Sequence, residues 1–556
     1  MRSLLKSLLI IAVVLSSGAF AQPELDTTFN STGKTLINIA GHSGAWNMAV
    51  QPDNKIIIVS GCTNDRGQFP FCSVRLNENG SLDTTFGNSG QPENFGPPGT
   101  VFTRFGPSQS QNGQATAIAL QSDGKFIVTG LASANNNAIA MARYNGNGSL
   151  DTTFGTGGQV LANISGGQNM ETVRAVAVQP DGKIVITGDS MRIIPPPNLD
   201  NIWSQFVARF LPNGTLDSSF GIGGVVKTNT GSISASGQSL AIQPDGKILV
   251  GGNLWTNTFG QTPQRAYYVA RLNSDGTGDL NWNTPQITYS SSDSIGPHSG
   301  ITTVAVQPDG RVVAVGQATR RLIRFLHNGS PDTSFDGDGA REVFLEDQLP
   351  FDFEISGDGR ITVVGMVRVG LSSITDFPYI VERFMLDGSY DQTFGDGGRL
   401  NIYISPATRD GARTIALDQI GRPVIAGVND DTPASPSFWD HTIMSAVRLT
   451  APAIVSAPAT VAGRVLTAEG LAVSGVTLRM ADSSGATWLA RTSPFGYYQF
   501  PNVMSGQLYS IAVKSRAVAI SERAIFVTGD VSNFDFTAAP KVSSKSVFKG
   551  DITEFK

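Results

Sequence analysis

The sequence predicts an all-β protein, with a seven-bladed β-propeller followed by a small β-sandwich. Three observations lead to this prediction: a repeat of about 61 residues between Asp26 and Asp391, a Pro-Asp-Gly turn or a variant of it in each repeat, and few charged residues. Of 556 residues, 62 are Gly and 29 are Pro, and only 15% are charged. Because Gly disfavours helix interiors, this composition favours short strands joined by turns.

The charge and the rare residue types exclude several function classes. A net charge of −5 provides no cationic field for nucleic acid, so no nucleic-acid partner is expected. Four distant His and two Cys leave little material for a metal site, and we predict neither a metal nor a cofactor.

Residues 1–21 have the features of a secretory signal peptide. Arg2 and Lys6 precede an apolar run, and an Ala-x-Ala site predicts cleavage between Ala21 and Gln22. The alternative is a membrane anchor, but the apolar run is shorter than the roughly 20 residues that span a bilayer. We expect a protein that is secreted, periplasmic or on the cell surface, without a transmembrane segment.

Cys62 and Cys72 lie ten positions apart and flank a loop that begins after a strand-like run. At the mouth of an antiparallel hairpin two such side chains can come within bridging distance, and an oxidising compartment would preserve the bond. We predict a disulfide, with two free buried thiols as the alternative.

Two residues recur once per repeat. The Asp of LDTTF-like strings lies at the head of each copy, with a degenerate copy (DLNWN) near Asp279. An Arg recurs inside an apolar run. These residues are Asp26, Asp83, Asp151, Asp217, Asp332 and Asp391, and Arg75, Arg143, Arg209, Arg271, Arg324, Arg383 and Arg448.

Each repeat is interpreted as four strands, of which the first follows the LDTTF string and the last carries the Arg. Pro-Asp-Gly between the second and third strands is hairpin chemistry, because Pro presets φ and Gly accepts positive φ. Seven such units predict a radial propeller, with an open β-solenoid as the alternative.

LDTTFG, AVQPDGKIV and the following ARxxxxGxLD pattern together resemble the delta-60 repeat family of secreted bacterial proteins. The resemblance covers residues 22–450 and implies architecture without implying catalytic residues. The degenerate fifth copy departs from the family pattern.

Residues that recur in every repeat are interpreted as structural. We expect the Asp to cap its own turn through the following backbone N–H groups, and the Phe of each string, such as Phe86 and Phe220, to fill the wedge between neighbouring blades. The shared period of Arg and Asp suggests that the two residues pair.

The parity of a four-stranded meander places both turn motifs on one face and the variable loops on the other. Loops on a rigid scaffold commonly carry binding residues, and exposed aromatic rings suit that role. The alternative is that these rings fold back over the blade edges. The candidate binding residues on this face are Trp203, Trp255, Phe438 and Trp439, and Phe71 lies in a shorter loop of the first repeat.

Composition changes after Thr450. Residues 451–460 are a Pro/Ala linker, residues 461–538 alternate in short strands with Gly turns, and residues 539–556 are a polar tail. The strings GRV at Gly463 and TSPFGYYQFPNV at Thr492 resemble the carboxypeptidase regulatory-like domain, a transthyretin-like sandwich that accompanies other domains without being catalytic.

No nucleophile elbow, zinc-binding His motif or phosphate loop is present in the sequence. The sequence therefore favours a monomeric, non-enzymatic protein that binds a protein or glycan ligand through the variable loops. The alternatives are an extracellular enzyme of the glycoside hydrolase or lyase type, with its site at the central channel, and a structural envelope component.

Overall fold

The computed structural model describes residues 25–540 as strands and turns without a helix. The predicted signal peptide with Ala21 and Gln22, and the tail from 541, lie outside the described residues. Within 25–540 the following are also not described: 40–43, 63–69, 88–97, 107–112, 134–137, 165–169, 193–201, 229–232, 257–264, 284–285, 290–299, 308, 346, 368–376, 407, 431–441, 451–457, 468–469, 483–486, 505–506, 516–517, 521–522, 528–530 and 532–533.

Strand β1 (Lys34–Ile37) precedes six four-stranded antiparallel units, whose strands pair in chain order. Unit 1 contains β2 (Asn47–Val50), β3 (Ile56–Gly61), β4 (Phe71–Leu76) and β5 (Thr100–Thr103); unit 2, β6 (Gly113–Leu120), β7 (Phe126–Ala132), β8 (Ala138–Tyr144) and β9 (Gln159–Ala162); unit 3, β10 (Met170–Val178), β11 (Ile184–Arg192), β12 (Ile202–Phe210) and β13 (Val225–Thr228).

Unit 4 contains β14 (Ile233–Ile242), β15 (Ile248–Thr256), β16 (Arg265–Leu272) and β17 (Gln286–Tyr289); unit 5, β18 (Ile301–Val306), β19 (Val312–Gly316), β20 (Arg321–Phe325) and β21 (Ala340–Glu342); unit 6, β22 (Gln348–Ile355), β23 (Ile361–Val367), β24 (Tyr379–Phe384) and β25 (Arg399–Ile402). Unit 7 contains β26 (Arg409–Leu417), β27 (Pro423–Asp430) and β28 (Thr442–Arg448), and takes β1 as its fourth strand.

The first strand of each unit, which we call the inner strand, contacts the inner strand of the next unit. Because β26 also contacts β2, the inner strands form a closed ring. The start of the chain completes the last unit, with Lys34 opposite Val447. Antiparallel sheets arranged radially in a closed ring are a β-propeller, so the predicted fold class is confirmed.

One detail of the predicted strand order is wrong. The strand after each LDTTF string belongs to the outer edge of the preceding unit, as β13 shows by pairing with β12. The string is a tight turn within one sheet, because Phe220 N donates to Asp217 O at 3.0 Å and Gly224 N donates to Phe220 O at 2.9 Å. The two turn motifs still share a face, since Lys55 after the first turn reaches Asp83 in the second.

Six inner strands carry a β-bulge at the same place, where the pairing register shifts by one residue. A recurrent Gly lies opposite all six, and at five of them a Cβ would overlap a carbonyl oxygen of the bulged strand. In unit 3 this residue is Gly188, and a Cβ there would overlap the carbonyl oxygen of Thr172. The close approach of the bulged strand therefore explains why glycine recurs five residues after the Lys or Arg of the turn.

The C-terminal region forms two four-stranded sheets. One contains β29 (Pro458–Thr467), β32 (Tyr497–Met504), β34 (Val518–Ala519) and β36 (Phe536–Pro540); the other contains β30 (Thr477–Asp482), β31 (Thr487–Arg491), β33 (Gln507–Lys514) and β35 (Arg523–Val527). Side chains of both sheets, including Phe500 and Ile511, share one buried cluster, which is the core of a sandwich. The resemblance to the regulatory-like domain stays a prediction.

Within the described residues, we find no helical segment with the length and apolar character needed to cross a bilayer.

Candidate functional site

In each unit the recurrent Arg and Asp form a buried ion pair, which we call the clamp. Nε of the Arg donates to Oδ2 of the Asp at 2.7–2.8 Å. The structure thus forms the pair that the shared period suggests. The clamps are Arg75–Asp83, Arg143–Asp151, Arg209–Asp217, Arg271–Asp279, Arg324–Asp332, Arg383–Asp391 and Arg448–Asp26.

Each clamp carboxylate also binds a second cation and a backbone amide. The Lys or Arg after the first turn approaches Oδ2 at 2.9–3.6 Å, as Lys55 does with Asp83. Oδ1 accepts the N–H two residues along the chain at 3.0–3.1 Å, which is the predicted cap.

The clamp also joins neighbouring units. Nη1 of Arg271 donates to the carbonyl oxygen of His327 in the next unit at 2.8 Å, and Arg209 bonds Ser274 in the same way. The guanidinium lies over the aromatic ring of the LDTTF string, 4.3–5.0 Å from the centroid. That ring packs against a turn glycine of the next unit, as Phe86 does against Gly148, which matches the wedge role expected for it.

The degenerate fifth copy is a complete clamp. Asp279 takes the Asp position, and Trp282 replaces Phe under the guanidinium of Arg271, 4.5 Å from its ring centroid. The repeat pattern indicates a degenerate copy near Asp279, but Asp279 is not among the Asp residues predicted to be structural. Matching the Arg to the residue eight positions later would have found it.

The clamp residues have a structural role. Burial acts to raise the pKa of Asp279, but hydrogen bonds from Asn281, Lys247 and Arg271 outweigh it and hold the pKa at about 2. The same balance lowers the pKa of Asp83 and Asp151 well below the ordinary range. These carboxylates are ionised and fully coordinated at neutral pH, so they support structure and are unsuited to proton transfer.

The predicted aromatic binding residues have different outcomes. Trp255 is only 6% exposed, so its expected exposure is wrong; β15 continues through Thr256 and makes Trp255 a strand residue opposite Ser234. Phe71 is fully buried in β4. Trp203 is half-buried in β12. Phe438 and Trp439 lie outside the described residues and stay predictions.

Cys62 and Cys72 are joined as a disulfide in the structure, with their Cα atoms 5.6 Å apart. Both residues are fully buried: Cys62 directly follows β3, and Cys72 is the second residue of β4. The described residues contain no group of three or more potential metal ligands.

The inner strands carry a second set of equivalent residues, at the bulge. We call it the bulge ring: the six bulge residues and Trp46, which holds the corresponding place before β2. Each residue lies five positions before the Gln of the first turn, or before its replacement, Ser356 or Asp418. The members are Trp46, Thr116, Arg174, Gln238, Thr302, Phe351 and Arg413.

The residue type varies at the bulge ring but is nearly constant at a neighbouring position of the same strands. Three residues after the bulge position, six units have Ala, whereas the bulge position itself holds arginines, aromatics, hydroxyls and an amide. Six of its members are half-buried, and the seventh, Trp46, is exposed. A bulge leaves a residue outside the regular ladder and re-aims its side chain. The repeat is therefore chemically variable where its strands approach the common axis.

One member of the bulge ring, Arg413, stacks on both of its neighbours in the ring. The guanidinium carbon of Arg413 lies 4.6 Å from the ring centroid of Phe351 and 5.1 Å from that of Trp46. These residues come from units 6, 7 and 1, so the stack crosses the point where the chain closes its ring. Burial lowers the pKa of Arg413 to about 10, which leaves it charged at neutral pH.

Two further members are linked by a buried polar network. Nε of Arg174 donates to Oδ1 of Asp189 at 3.2 Å, and Ser236 Oγ donates to the same oxygen at 2.8 Å. Nε2 of Gln238 donates to Ser236 Oγ at 2.6 Å. This network fixes Arg174 and Gln238 across the boundary of units 3 and 4.

Inner strand β22 adds two carboxyl groups. Oδ1 of Asp352 accepts from Thr303 Oγ1 at 2.8 Å and Oδ2 accepts from Ile415 N at 3.1 Å, and burial raises its pKa to about 6. Glu354 occupies the position that is Ala in the other six units. Burial, reinforced by the charge of Asp352, raises the pKa of Glu354 to about 8.

Comparison with known proteins supports the repeat architecture. The family model described as "Domain of unknown function (DUF5122) beta-propeller" matches residues 51–86, 121–154, 179–220, 243–281 and 307–335. Four of these segments run from the Gln of the first turn to the Phe of the second, and 243–281 ends one residue before Trp282, so every match contains a clamp. No curated protein matches the chain.

Several solved propeller-like structures are similar at low identity. A protein of unknown function from Bacteroides caccae is 9% identical, with 65% of this chain and 94% of that chain covered and a TM-score of 0.31. Virginiamycin B lyase from Staphylococcus aureus is 12% identical, covering 70% and 94%, with a TM-score of 0.32.

An alpha-L-arabinanase from Penicillium chrysogenum is 8% identical, covering 74% of this chain and 98% of that chain, with a TM-score of 0.37. The family match and the closed ring of antiparallel units together identify the region as a β-propeller built from repeats.

Proposed function

We propose that this chain is an exported, non-enzymatic binding protein that engages a protein or glycan ligand through the face opposite the clamps. In this proposal the protein is monomeric, and the C-terminal sandwich acts as a spacer or a second contact. Export rests on the N-terminal sequence alone.

The proposal rests on a difference between the two ends of each unit: the clamp end is uniform, and the opposite end varies. One end of every unit is occupied by the same clamp, whose polar atoms are coordinated by the scaffold. The bulge ring varies from unit to unit, as do the loops that join β11 to β12 and β15 to β16. Variable residues on a rigid repeated frame are typical of binding surfaces.

Glycan and protein arrays test the proposal. We expect the full-length protein to bind a defined subset of either array, and the combined Trp203→Ala and Trp439→Ala variant to lose that binding. Trp488→Ala, in the C-terminal sandwich, is the comparison variant: retained binding assigns the sandwich the spacer role, and lost binding assigns it the second contact. Absence of binding by the wild type on both arrays would contradict the binding proposal and favour a structural envelope component.

Enzymatic activity is the second candidate because of Asp352 and Glu354. A carboxyl group with a pKa of about 8 is protonated at neutral pH, as a general acid must be, and a second carboxylate lies two residues away on the same strand. A screen of polysaccharide hydrolysis and elimination would test this candidate. Activity that disappears in Glu354→Gln while the fold remains intact would replace the non-enzymatic proposal.

A further inference from the structure

We propose that one end of the C-terminal sandwich docks on a bilayer that contains anionic lipids. This end, which we call the loop end, consists of residues 470–476 between β29 and β30 and residues 492–496 between β31 and β32. The inference goes beyond the proposed function, because it gives the sandwich a partner separate from the ligand of the variable loops.

The strand register places both connections at the same end. In the first sheet, Arg464 near the end of β29 lies opposite Tyr497 at the start of β32. In the second sheet, β31 ends at Arg491, which donates Nε to Gly475 O at 3.2 Å. Gly475 N donates to Thr492 O at 3.1 Å, so the two connections are bonded to each other. They form one continuous surface.

This surface is apolar where it meets solvent. Phe495 is 69% exposed, Leu471 67% and Tyr497 55%. Arg464 holds the backbone beneath them: its Nη2 donates to Phe495 O at 3.2 Å, and its guanidinium lies 4.6 Å from the ring centroid of Tyr497. Large apolar side chains that are clustered on an exposed, hydrogen-bonded surface mark an interaction site.

Cations border the apolar surface. Arg491 and Lys514 both lie opposite Thr477, on either side of it, and both side chains are exposed. Because adjacent strands are about 4.8 Å apart, the two residues lie about 10 Å apart on the outer face of the sheet. No ion pair forms among the described residues of the sandwich, whereas every clamp cation of the propeller is paired. With Arg464, the loop end has three cations.

Acidic residues reduce this positive charge without cancelling it. Oδ1 of Asp535 accepts from Arg464 N at 2.7 Å. Glu469 belongs to the β29–β30 connection and lies outside the described residues. Arg516 and Glu522, in the connection after β33, also lie outside them, and their charges cancel. The three cations therefore outnumber the remaining carboxylates, those of Asp535 and Glu469.

The chain that follows the sandwich begins at the same end. Strand β36 runs parallel to β29, with Ala538 opposite Thr467, and ends at Pro540. Residues 541–556 lie outside the described residues and contain four Lys, one Asp and one Glu. The chain that leaves the loop end thus carries a net charge of +2, the sign that anionic lipid attracts.

A bilayer fits this combination better than an acidic polymer does. Leu471 and Leu489, the latter exposed beside Arg491 in β31, have no polar group or ring with which to bind a sugar or a carboxylate. Apolar side chains gain by leaving water at the boundary between headgroups and acyl chains, while nearby cations stay among the headgroups. Apolar residues at the centre with cations around them match that arrangement.

Vesicle sedimentation tests the inference. The protein is the chain from Gln22, without the predicted signal peptide, because an apolar leader would itself bind lipid. The probes are vesicles of phosphatidylcholine mixed with anionic phosphatidylglycerol, and vesicles of phosphatidylcholine alone. We expect binding to the mixed vesicles that is at least about fivefold tighter than to the neutral vesicles and that weakens as salt is added.

Phe495→Ser combined with Leu471→Ser removes the apolar contact. This variant should bind the mixed vesicles at least about tenfold more weakly, because two large apolar side chains no longer leave water. Ile222→Ser with Leu280→Ser is the matched control, since these side chains are 92% and 99% exposed on the propeller. It should bind within about twofold of wild type. Equal losses in the two variants would indicate nonspecific adsorption and overturn the inference.

Arg491→Gln combined with Lys514→Gln tests the cations. Binding to the mixed vesicles should weaken by at least about tenfold, with no change for the neutral vesicles. Arg479→Gln is the matched control for Arg491→Gln, because Arg479 is exposed on the same sheet face, opposite Leu489, but further from the loop end. We expect a smaller loss for Arg479→Gln. An equal loss would overturn docking through the loop end.

Phe495→Trp covers the case in which the Ser variant fails to fold. Its added fluorescence should be quenched by bromine-labelled acyl chains in the mixed vesicles, and vesicle binding without quenching would overturn the inference. Dimerisation of the wild type without lipid, abolished by the double Ser substitution, would overturn it in favour of contact between two copies. Failure of the wild type to bind the mixed vesicles would overturn this inference alone, since the arrays measure ligand binding by the variable loops separately.

Discussion

The clamps and the bulge ring lie on the same repeated units but use their residues in opposite ways. At the clamp, seven units place Arg, Asp and an aromatic ring in one arrangement, even where Trp282 replaces Phe. At the bulge ring, seven equivalent positions hold five different residue types. Because a repeat protein needs the same unit-to-unit interface throughout, uniformity marks structure and divergence marks a site free to specialise.

The contrast also separates two kinds of buried charge. The carboxylate of Asp217 has two cationic neighbours and a backbone amide, and its pKa is lowered despite burial. The carboxyl of Glu354 replaces an alanine, and its pKa is raised. Charge at the clamp stabilises the ring, whereas charge at the inner strand costs stability and is a candidate for function.

The largest expected effect breaks a clamp. Arg209→Ala leaves Asp217 buried without its main partner and should lower the free energy of unfolding by about 3 kcal/mol. The reciprocal Asp217→Ala should have a similar effect. The double variant should lose less than the sum, with a coupling energy on the order of 1–3 kcal/mol in chemical denaturation.

Arg341→Ala provides the control for this cycle. Arg341, in β21, pairs with Asp336 at 2.9 Å and stacks on Tyr390; both charged side chains are partly exposed, where an ion pair contributes about 1 kcal/mol or less. Additive losses at Arg209 and Asp217, or an equal loss at Arg341, would show that the clamp is not a cooperative unit.

The second expected effect concerns Glu354 and depends on pH. Its pKa is about 8 when folded and near 4.5 when unfolded, so between these values the unfolded chain releases a proton that the folded chain keeps. The folded protein is therefore most stable, as far as this group is concerned, below pH 4.5, where Glu354 is protonated in both states. That stability is lost as the pH rises through 8, where the folded protein must bury a charged carboxylate. Glu354→Ala, which restores the residue of the other six units, should raise the Tm by several degrees at pH 9 and by less at pH 5.

Glu342→Ala, at an exposed carboxylate on β21, should show no such pH-dependent gain. If Glu354→Ala lowered the Tm at both pH values, the acid would be a structural partner like those of the clamps.

The sequence predicts those parts of the fold and of the site that recur in every repeat. The period of Arg and Asp was sufficient to predict the fold class, the Asp cap and the partner of each Arg, because those contacts are local or recur in every unit. It assigned the strand after Phe220 to the wrong unit, since a hairpin and a linker have the same turn residues. It took Trp255 for a loop residue because the extension of β15 depends on pairing with distant strands.

The bulge ring went unrecognised for a related reason. Its members share only a position, five residues before the Gln of the turn, and no residue type. The signal available in the sequence was the glycine opposite the bulge, such as Gly188, which is required by the close approach of Thr172. Interpreting that glycine as the partner of a bulge would have located Arg174, and with it the whole ring.

The smallest expected effect exchanges one ring member for another. Thr302→Gln places the residue of unit 4 into unit 5, where the Thr302 hydroxyl makes only a long contact of 3.5 Å with Val315 O. If the position is free to vary, the change in the free energy of unfolding should stay within about 0.5 kcal/mol. Asp332→Asn in the clamp of the same unit should cost several times more, because Asp332 binds both Arg324 and Arg311.

Equal losses for the two substitutions in unit 5 would remove the distinction between the clamps and the bulge ring. A neutral Thr302→Gln that changes ligand binding while Asp332→Asn changes only stability would place function and structure on different residues of one repeat. Stability and ligand binding must therefore be measured on the same protein samples. A substitution that changes binding without changing stability marks a functional position, whereas one that changes neither marks a position that only tolerates substitution.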